Sequence, residues 1–509
     1  MSSERSPLDL RLVPAALTSW AVTAAGIVWP VGGVSAAAVA VLLAVLLHRF
    51  TGRMAAREPD RPIFGMTAVA AVTLVAAAFT VSIALRSNEV RHHPITARTG
   101  TTVAVTVIPA ETPRVLAGGR LLFRAGLHEL AGAPADGAVT VFAPAWRGGE
   151  VDAGRPTTFR ARVGRPTRAD LTVAVLTAVG EPTVGRTPPV PRLAGHIRSA
   201  FAATARLVLP VDQAAMLPAL VLGDTSMVPA PTASDFRTAG LTHLTAVSGA
   251  NVTIVCGTAL LSAALIGPRL AAGLAMVVLV AFVIVVEPSA SVLRAAVMGG
   301  IGLLALVSHR RRQAIPVLAS SVIALMVGAP QLAVDVGFAL SVVATAALVL
   351  IAPVWMQRLT DRGWPRPLAA AVSVALAAHL VTAPLVAGIT GRFSVLSVLA
   401  NLMVAAVIPP ITVIGTAAAV LAPWWPAGAG LLIRFTGPEL WWLLQVAHRV
   451  AAVPGSTVTV PSGPLGVVVV AAGGLGLVVG WRLRWVRLVA AAGGVGLLAW
   501  TVSGVVGSA

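Results

Sequence analysis

The sequence predicts a polytopic α-helical membrane protein with an inserted extracellular small β-barrel (OB-like) domain. Three observations predict it. The residues are 57% hydrophobic and only 11% charged, apolar runs of membrane-spanning length recur, and residues 86–192 interrupt that pattern. With a mean hydropathy of +0.88, a chain of this length could not bury its apolar surface in water. A soluble globular protein is therefore excluded.

Three helices are predicted at the start of the chain, near 13–29, 33–48 and 63–85. The arginine-rich loop 49–61 should stay in the cytoplasm, because positive charge is retained on that side of a membrane. The N-terminus is then cytoplasmic as well. A retained helical hairpin is favoured over a cleaved secretory signal, because the second apolar segment follows almost at once.

The next region has the character of a β domain. Apolar runs shorten to strand length, as in Thr101–Val107 and Leu171–Val175, and turn signals such as Pro134–Gly137 separate them. Several such runs at this spacing predict a small barrel or sandwich. The chain is accordingly divided into four parts. They are an N-terminal three-helix membrane region (1–85), the β domain (86–190), amphipathic surface helices (191–242) and a membrane channel domain of about ten helices (243–509).

The β domain is basic, with 14 arginines against 8 acidic residues between 86 and 192. Its densest basic cluster is Arg155, Arg160, Arg162, Arg165 and Arg168. Such a surface could follow a nucleic-acid backbone, or it could simply be a solvated face. The aromatic residues Phe123, Phe142, Trp146 and Phe159 could stack on bases, but most of them are expected in the core of the domain.

After the Pro188–Pro191 linker, an amphipathic segment at 193–222 and a short polar helix at 233–239 should lie at the membrane surface. Later spans are predicted at 244–266, 270–286, 291–308, 314–328, 333–353, 368–388, 395–421, 429–450, 464–481 and 487–506. With these spans the basic loops fall on one side of the membrane. The same alternation places residues 86–242 outside the cell.

Several polar residues lie within or beside these spans, where they are costly unless they find partners or water. His243, Ser248, Gly249 and Asn251 stand together at the mouth of an apolar run. Arg294 could pair with Glu287 or Asp335, or offer a fixed positive charge to phosphates. Asn401, ahead of Pro409-Pro410, indicates either a broken helix beside a cavity or a kinked helix with a satisfied amide.

No enzyme chemistry is indicated by the motifs. His243 and Ser248 are five residues apart, which is not a helical contact spacing, and no G-x-S-x-G elbow surrounds the serine. A hydrolase acting through them is the least favoured hypothesis. There is no P-loop, and the single cysteine, Cys256, excludes a cysteine-clustered zinc site. No catalytic residue, metal ligand or cofactor is predicted.

An ordered set of short blocks carries a family resemblance. They are Leu222-Gly223-Asp224, Phe236 with Gly240, His243–Val252, Pro288–Ala295, Gln331 with Gly337–Ser341, and Gly391–Ser394 with Asn401. Together they resemble the ComEC family of competence proteins, across about 190–425. The domain at 86–185 is similar to that family's external OB-fold domain in position and size. Longer members add a metallo-β-lactamase-like domain with an H-x-H-x-D-H cluster, which this sequence lacks, so the short form is expected and nuclease activity is not implied.

The resemblance implies an inner-membrane channel that passes single-stranded DNA into the cytoplasm during natural transformation. The expected path residues are His243, Ser248, Gly249, Asn251, Arg294, Asp335, Ser341 and Asn401. Implied partners are single-stranded DNA, membrane lipid, a DNA receptor outside and a helicase or ATPase inside, while homo-oligomerisation stays open. The alternative function is a secondary carrier or flippase for a lipid or small solute, which would use the same buried groups.

Overall fold

The computed structural model describes residues 9–55, 65–116, 118–144, 146, 151–245, 247, 249–286, 290–307 and 314–480. The chain forms two compact units. The first comprises Met1–Met227, Thr245–Val342 and Pro410–Thr436. The second comprises Val228–Leu244, Val343–Pro409 and Gly437–Ala509.

The first unit begins with three helices packed on one another, α1 (Val13–Val28), α2 (Gly32–Ala55) and α3 (Met66–Arg91). They agree with the three predicted helices. The buried hydroxyls of Ser19 and Thr23 in α1 donate to carbonyls one turn earlier, so these polar groups are satisfied within the helix.

Six strands follow α3 and form one sheet: β1 (Thr102–Pro109), β2 (Arg114–Val115), β3 (Leu121–Leu130), β4 (Ala133–Ala143), β5 (Thr157–Gly164) and β6 (Thr172–Val184). The order is β1-β5-β6-β4-β3-β2, and an additional β1–β3 pairing closes five of the strands into a barrel. Only β4 and β6 run parallel. The predicted small barrel is therefore confirmed, and it is a closed one.

Alternation along the strands explains the barrel core. Phe159 and Ala161 are buried in β5, whereas Arg160 and Arg162 between and beyond them are exposed. Phe123 and Phe159 lie in the core as expected, and Trp146 packs against its edge, 5.4 Å from the Phe159 ring.

The predicted turn at Pro134–Gly137 is wrong, because those residues belong to β4. The chain reverses at Ala131 and Gly132, both with positive φ, which matches the right-handed twist of the flanking strands.

The predicted amphipathic segment is two helices, α4 (Pro189–Val208) and α5 (Val211–Leu222), because the chain is extended at Leu209-Pro210. Helix α4 buries Ala194, Ile197 and Phe201 along one face. All residues of α5 from Ala214 onward are buried. The short polar helix α6 (Ala230–Thr238) agrees with its prediction and lies in the second unit.

The remaining helices follow in chain order. They are α7 (Gly249–Ser262), α8 (Pro268–Val286), α9 (Ala290–Val307), α10 (Ala314–Gly328), α11 (Val336–Leu350), α12 (Ala352–Thr360), α13 (Arg366–Thr390), α14 (Ser397–Val404), α15 (Ile408–Leu421), α16 (Pro426–Phe435), α17 (Gly437–Ala452) and α18 (Pro464–Gly480). In the second unit, strands β7 (Arg392–Ser394) and β8 (Thr457–Thr459) pair antiparallel.

Among the described residues, five helical segments are long and apolar enough to cross a membrane. Helices α14 and α15 make a sixth if they are counted together as one broken span. Six further apolar helices in the described part of the chain have 10–17 residues. The molecule is therefore a multi-pass membrane protein. The predicted span 395–421 consists of two helices, α14 and α15, with a break before Ile408. The predicted span 429–450 likewise consists of α16 and α17, which are separated at Thr436. The predicted span 487–506 lies outside the described residues, and the count of about ten helices after 243 stays a prediction.

Candidate functional site

A buried arginine dominates the polar chemistry of the first unit. Helix α9 carries Arg294, which is only 4% exposed. Its Nε donates to Ser341 Oγ of α11 at 2.8 Å, and its Nη1 lies 2.9 Å from the Met298 sulfur. Among the described residues, no carboxylate lies within 4 Å of the guanidinium. A buried charge without a counter-charge costs several kcal/mol, so this arrangement opposes folding.

The start of α7 lies against this arginine. A Cβ built on Gly249 would be 3.2 Å from Arg294 Nη2 and 3.6 Å from the Ala295 methyl. Glycine is therefore the residue that leaves the guanidinium room at this helix end. Ser291 Oγ is 3.4 Å from Ser341 Oγ, which places a second hydroxyl beside the one that Arg294 contacts. We call Gly249, Ser291, Arg294 and Ser341 the arginine cluster.

Asn251, also in α7, is 5% exposed, and its Nδ2 donates to the Leu220 carbonyl of α5 at 2.9 Å. Gly223, which ends α5, lies so close to Val247 that a Cβ there would be 3.1 Å from a Val247 methyl. The blocks Leu222-Gly223-Asp224 and His243–Val252 therefore meet in the fold. Asn251 holds α7 on α5.

Asp335 has a structural contact of its own. It precedes α11, and its Oδ1 accepts a hydrogen bond from the Phe338 amide at 2.8 Å, which is the geometry of a helix N-cap. Phe338 is fully buried and packs edge-on against Trp20 at 5.3 Å. The hypothesis of an Arg294–Asp335 ion pair is wrong. Glu287, the other candidate partner, lies outside the described residues, as does Ser248.

The second unit contains a neutral cluster formed by Thr238, Gly240, Ser394, Ser397 and Asn401. Ser394 Oγ donates to the Thr238 carbonyl at 2.9 Å, and Asn401 Nδ2 donates to the Ser397 carbonyl at 2.8 Å. Gly240 has φ +73°, and a Cβ there would be 2.5 Å from Ser397 Oγ. The Asn401 amide is thus satisfied within its own helix, at the start of the broken span.

His243 lies in a short 3₁₀ turn, Thr242–Leu244, and is exposed. Desolvation by the surrounding chain lowers the pKa of its imidazole, while a hydrogen bond with the backbone of Gly240 acts in the opposite direction. Within the same unit, His448 Nδ1 lies 3.1 Å from Asp235 Oδ2 and joins α17 to α6, a contact that the sequence pattern did not indicate.

The barrel arginines divide into two groups. Glu111 lies 3.4 Å from Arg124 and 3.9 Å from Arg114, so these two arginines are partly neutralised. The exposed residues Arg160, Arg162, Arg165 and Arg168 form no ion pair within the described part of the barrel. Arg155 differs from them, because its Nε donates to the Gly185 carbonyl at 3.1 Å.

No group of three His, Cys, Asp or Glu residues that could hold a metal ion occurs in the part of the chain that the structure describes. Ser291, Met298, Ser394 and Ser397 were not among the predicted path residues. Serines are common in membrane helices, and only the fold shows which of them contact the arginine or the glycine.

A family model described as Competence protein matches residues 220–485, just over half of the chain. The chain belongs to the Competence protein family. The match begins in α5, ends beyond α18 and contains both polar clusters. Membership of this family indicates a role in competence, the uptake of DNA. No curated protein and no solved structure matches the chain.

Proposed function

We propose that this Competence family member is an inner-membrane channel that passes single-stranded DNA into the cytoplasm during natural transformation. The observation that carries the proposal is a group of exposed arginines on the barrel that form no ion pair with any described residue. On β5, Arg160 and Arg162 stand opposite Ala104 and Thr102 on β1, and opposite Val179 and Thr177 on β6. Because no carboxylate stands beside them in these registers, the strand presents its charge to an external polyanion.

Residues 86–190 would be an extracellular OB-fold domain. A closed five-stranded Greek-key barrel is the architecture of OB folds, which bind oligonucleotides. Arg165 and Arg168 lie in the loop between β5 and β6, and loops of this position help to form the binding surface of OB folds. The N-terminus would be cytoplasmic, residues 191–242 would frame the entrance from outside, and 243–509 would form the channel domain.

The arginine cluster would supply the contacts to DNA. We assign Gly249, Arg294 and Ser341 to direct contact with the strand, together with His243 and Ser248 at the entrance. Asn251, Asp335 and Asn401 would support the path. Asn251 joins α7 to α5, whereas Asp335 and Asn401 make local hydrogen bonds at their own helices. No catalytic step is assigned to this chain. A receptor outside would deliver the DNA, and a cytoplasmic helicase or ATPase would pull the strand.

The test compares two double variants of the full chain that remove the same charge. Arg160→Ala with Arg162→Ala removes arginines without ion-pair partners, and Arg114→Ala with Arg124→Ala removes the pair beside Glu111. The first variant should weaken binding of single-stranded DNA by the purified protein and reduce the salt slope of log K by about 1.4, about 0.7 per lost phosphate contact. The control pair should change both quantities less.

Cells that carry the variant expected to bind DNA more weakly, Arg160→Ala with Arg162→Ala, should also take up less labelled DNA than cells that carry the control pair. Equal binding and equal uptake by both double variants would contradict the proposed role of the barrel. If the wild-type protein bound no single-stranded DNA at low salt, the alternative function, a carrier or flippase for a lipid or small solute, would replace the channel.

A further inference from the structure

The start of α7 and the guanidinium of Arg294 create an electrostatic conflict. The first amides of a helix have no intrahelical acceptors, and the helix dipole places partial positive charge at that end. A Cβ on Gly249, the first residue of α7, would lie 3.2 Å from Arg294 Nη2, so the guanidinium lies beside the helix end that carries partial positive charge. Positive groups that lie side by side repel each other, and an anion bound beside both of them relieves the repulsion.

The described protein groups around Arg294 do not supply that anion. In the described residues its contacts are a serine hydroxyl and a thioether sulfur, which are both uncharged. The residue is 96% buried, so bulk water cannot screen the charge either. Ser291, whose Oγ lies 3.4 Å from Ser341 Oγ, adds a hydroxyl that can donate to an oxyanion. Arginine presents a planar fork of donors, which matches the oxygens of a phosphate group.

We propose that the arginine cluster is a binding site for one phosphate group at the N-terminus of α7. Arg294 would hold two oxygens, the amides of Gly249 and Ala250 would point at the same anion, and Ser341 would orient the guanidinium through its bond to Nε. Glycine is required at 249 because a side chain there would crowd the guanidinium and move it away from the helix end. The phosphate could belong to a DNA strand, to a lipid headgroup or to free phosphate, and its assignment to DNA rests on the proposed function.

The experiment measures the melting temperature of the full chain in detergent, with inorganic phosphate replacing chloride at constant ionic strength. A ligand that binds only the folded protein raises this temperature. Gly249→Ala crowds the guanidinium of Arg294. Gly257→Ala is the matched control, because it lies in the same helix and its added methyl would meet no neighbouring group within 4 Å. Arg294→Gln removes the charge without changing the helix end.

Phosphate should raise the melting temperature of the wild type and of Gly257→Ala by several degrees, and that of Gly249→Ala and Arg294→Gln much less. No phosphate response in the wild type, or an equal response in Arg294→Gln, would overturn the site. If Gly249→Ala does not fold, Arg294→Gln alone decides.

Two competitors identify the source of the phosphate group. A short single-stranded oligonucleotide that abolishes the phosphate response supports the DNA phosphodiester. Suppression by phosphatidylglycerol micelles but not by the oligonucleotide contradicts that source and assigns the site to a lipid headgroup.

Failure of this site is distinguishable from failure of the channel. If phosphate raises the melting temperature of the wild type but Arg294→Gln takes up DNA normally, the phosphate site stands and its role in transport is overturned. Lost uptake without any phosphate response would overturn the site and leave the channel.

Discussion

The arginine cluster of the first unit and the neutral cluster of the second differ in how their polar groups affect the stability of the fold. Asn401 and Ser394 donate to backbone carbonyls, so the neutral cluster stabilises the fold around Gly240. Arg294 is buried without a carboxylate in the described chain, so it costs stability. Residues that destabilise a fold are found mainly at functional sites. Under the proposed function, transport depends on the arginine cluster, whereas the neutral cluster holds its own unit together.

The largest expected effect is that of Arg294→Met. It removes the hydrogen bonds that the charged guanidinium would donate to the DNA strand, which are worth about 2 kcal/mol. Uptake of labelled DNA should therefore fall about 30-fold. The melting temperature of the purified protein should stay equal or rise, because an uncompensated buried charge is replaced by an apolar side chain. A large fall in melting temperature together with lost uptake would assign Arg294 a structural role, like that of the neutral cluster.

Gly240→Ala should act in the opposite way. The new methyl would meet Ser397 Oγ at 2.5 Å in a backbone conformation that L-residues rarely adopt, so the free energy of unfolding should fall by about 1–3 kcal/mol. Thermal melting in detergent measures this loss. Adding Ser397→Gly removes the atoms that the methyl meets and should recover part of the stability. No destabilisation by the single variant would show that the neutral cluster is not tightly packed.

Asp335→Ala should have the smallest effect, a loss of about 1 kcal/mol in the free energy of unfolding, because α11 loses its N-cap. Asp335→Ser should restore most of the stability, since serine is also a good N-cap. Uptake should be unchanged in both variants after correction for the amount of folded protein. A loss of uptake that serine does not rescue would show that the carboxylate itself belongs to the path.

Much of this architecture could be predicted from the sequence. The apolar runs predicted most of the described membrane helices within a few residues, because a span must be apolar over a length fixed by the bilayer. The predicted spans 395–421 and 429–450 are exceptions, since each consists of two helices. Short β-branched runs predicted the barrel. The turn at Pro134–Gly137 was wrong because proline and glycine also occur within strands, and pairing with β3 decided the register of β4.

The sequence by itself determined the class of protein, the family blocks and the presence of an arginine inside a membrane helix. Only the tertiary structure decided which residues surround that arginine. Asp335 is forty-one positions away in the chain and could have paired with Arg294, but it caps its own helix, while Ser341 and Gly249 reach the guanidinium. The physical reason is that a polar group buried among helices takes the partner that packing brings within about 3 Å, and helix packing is not encoded in local spacing.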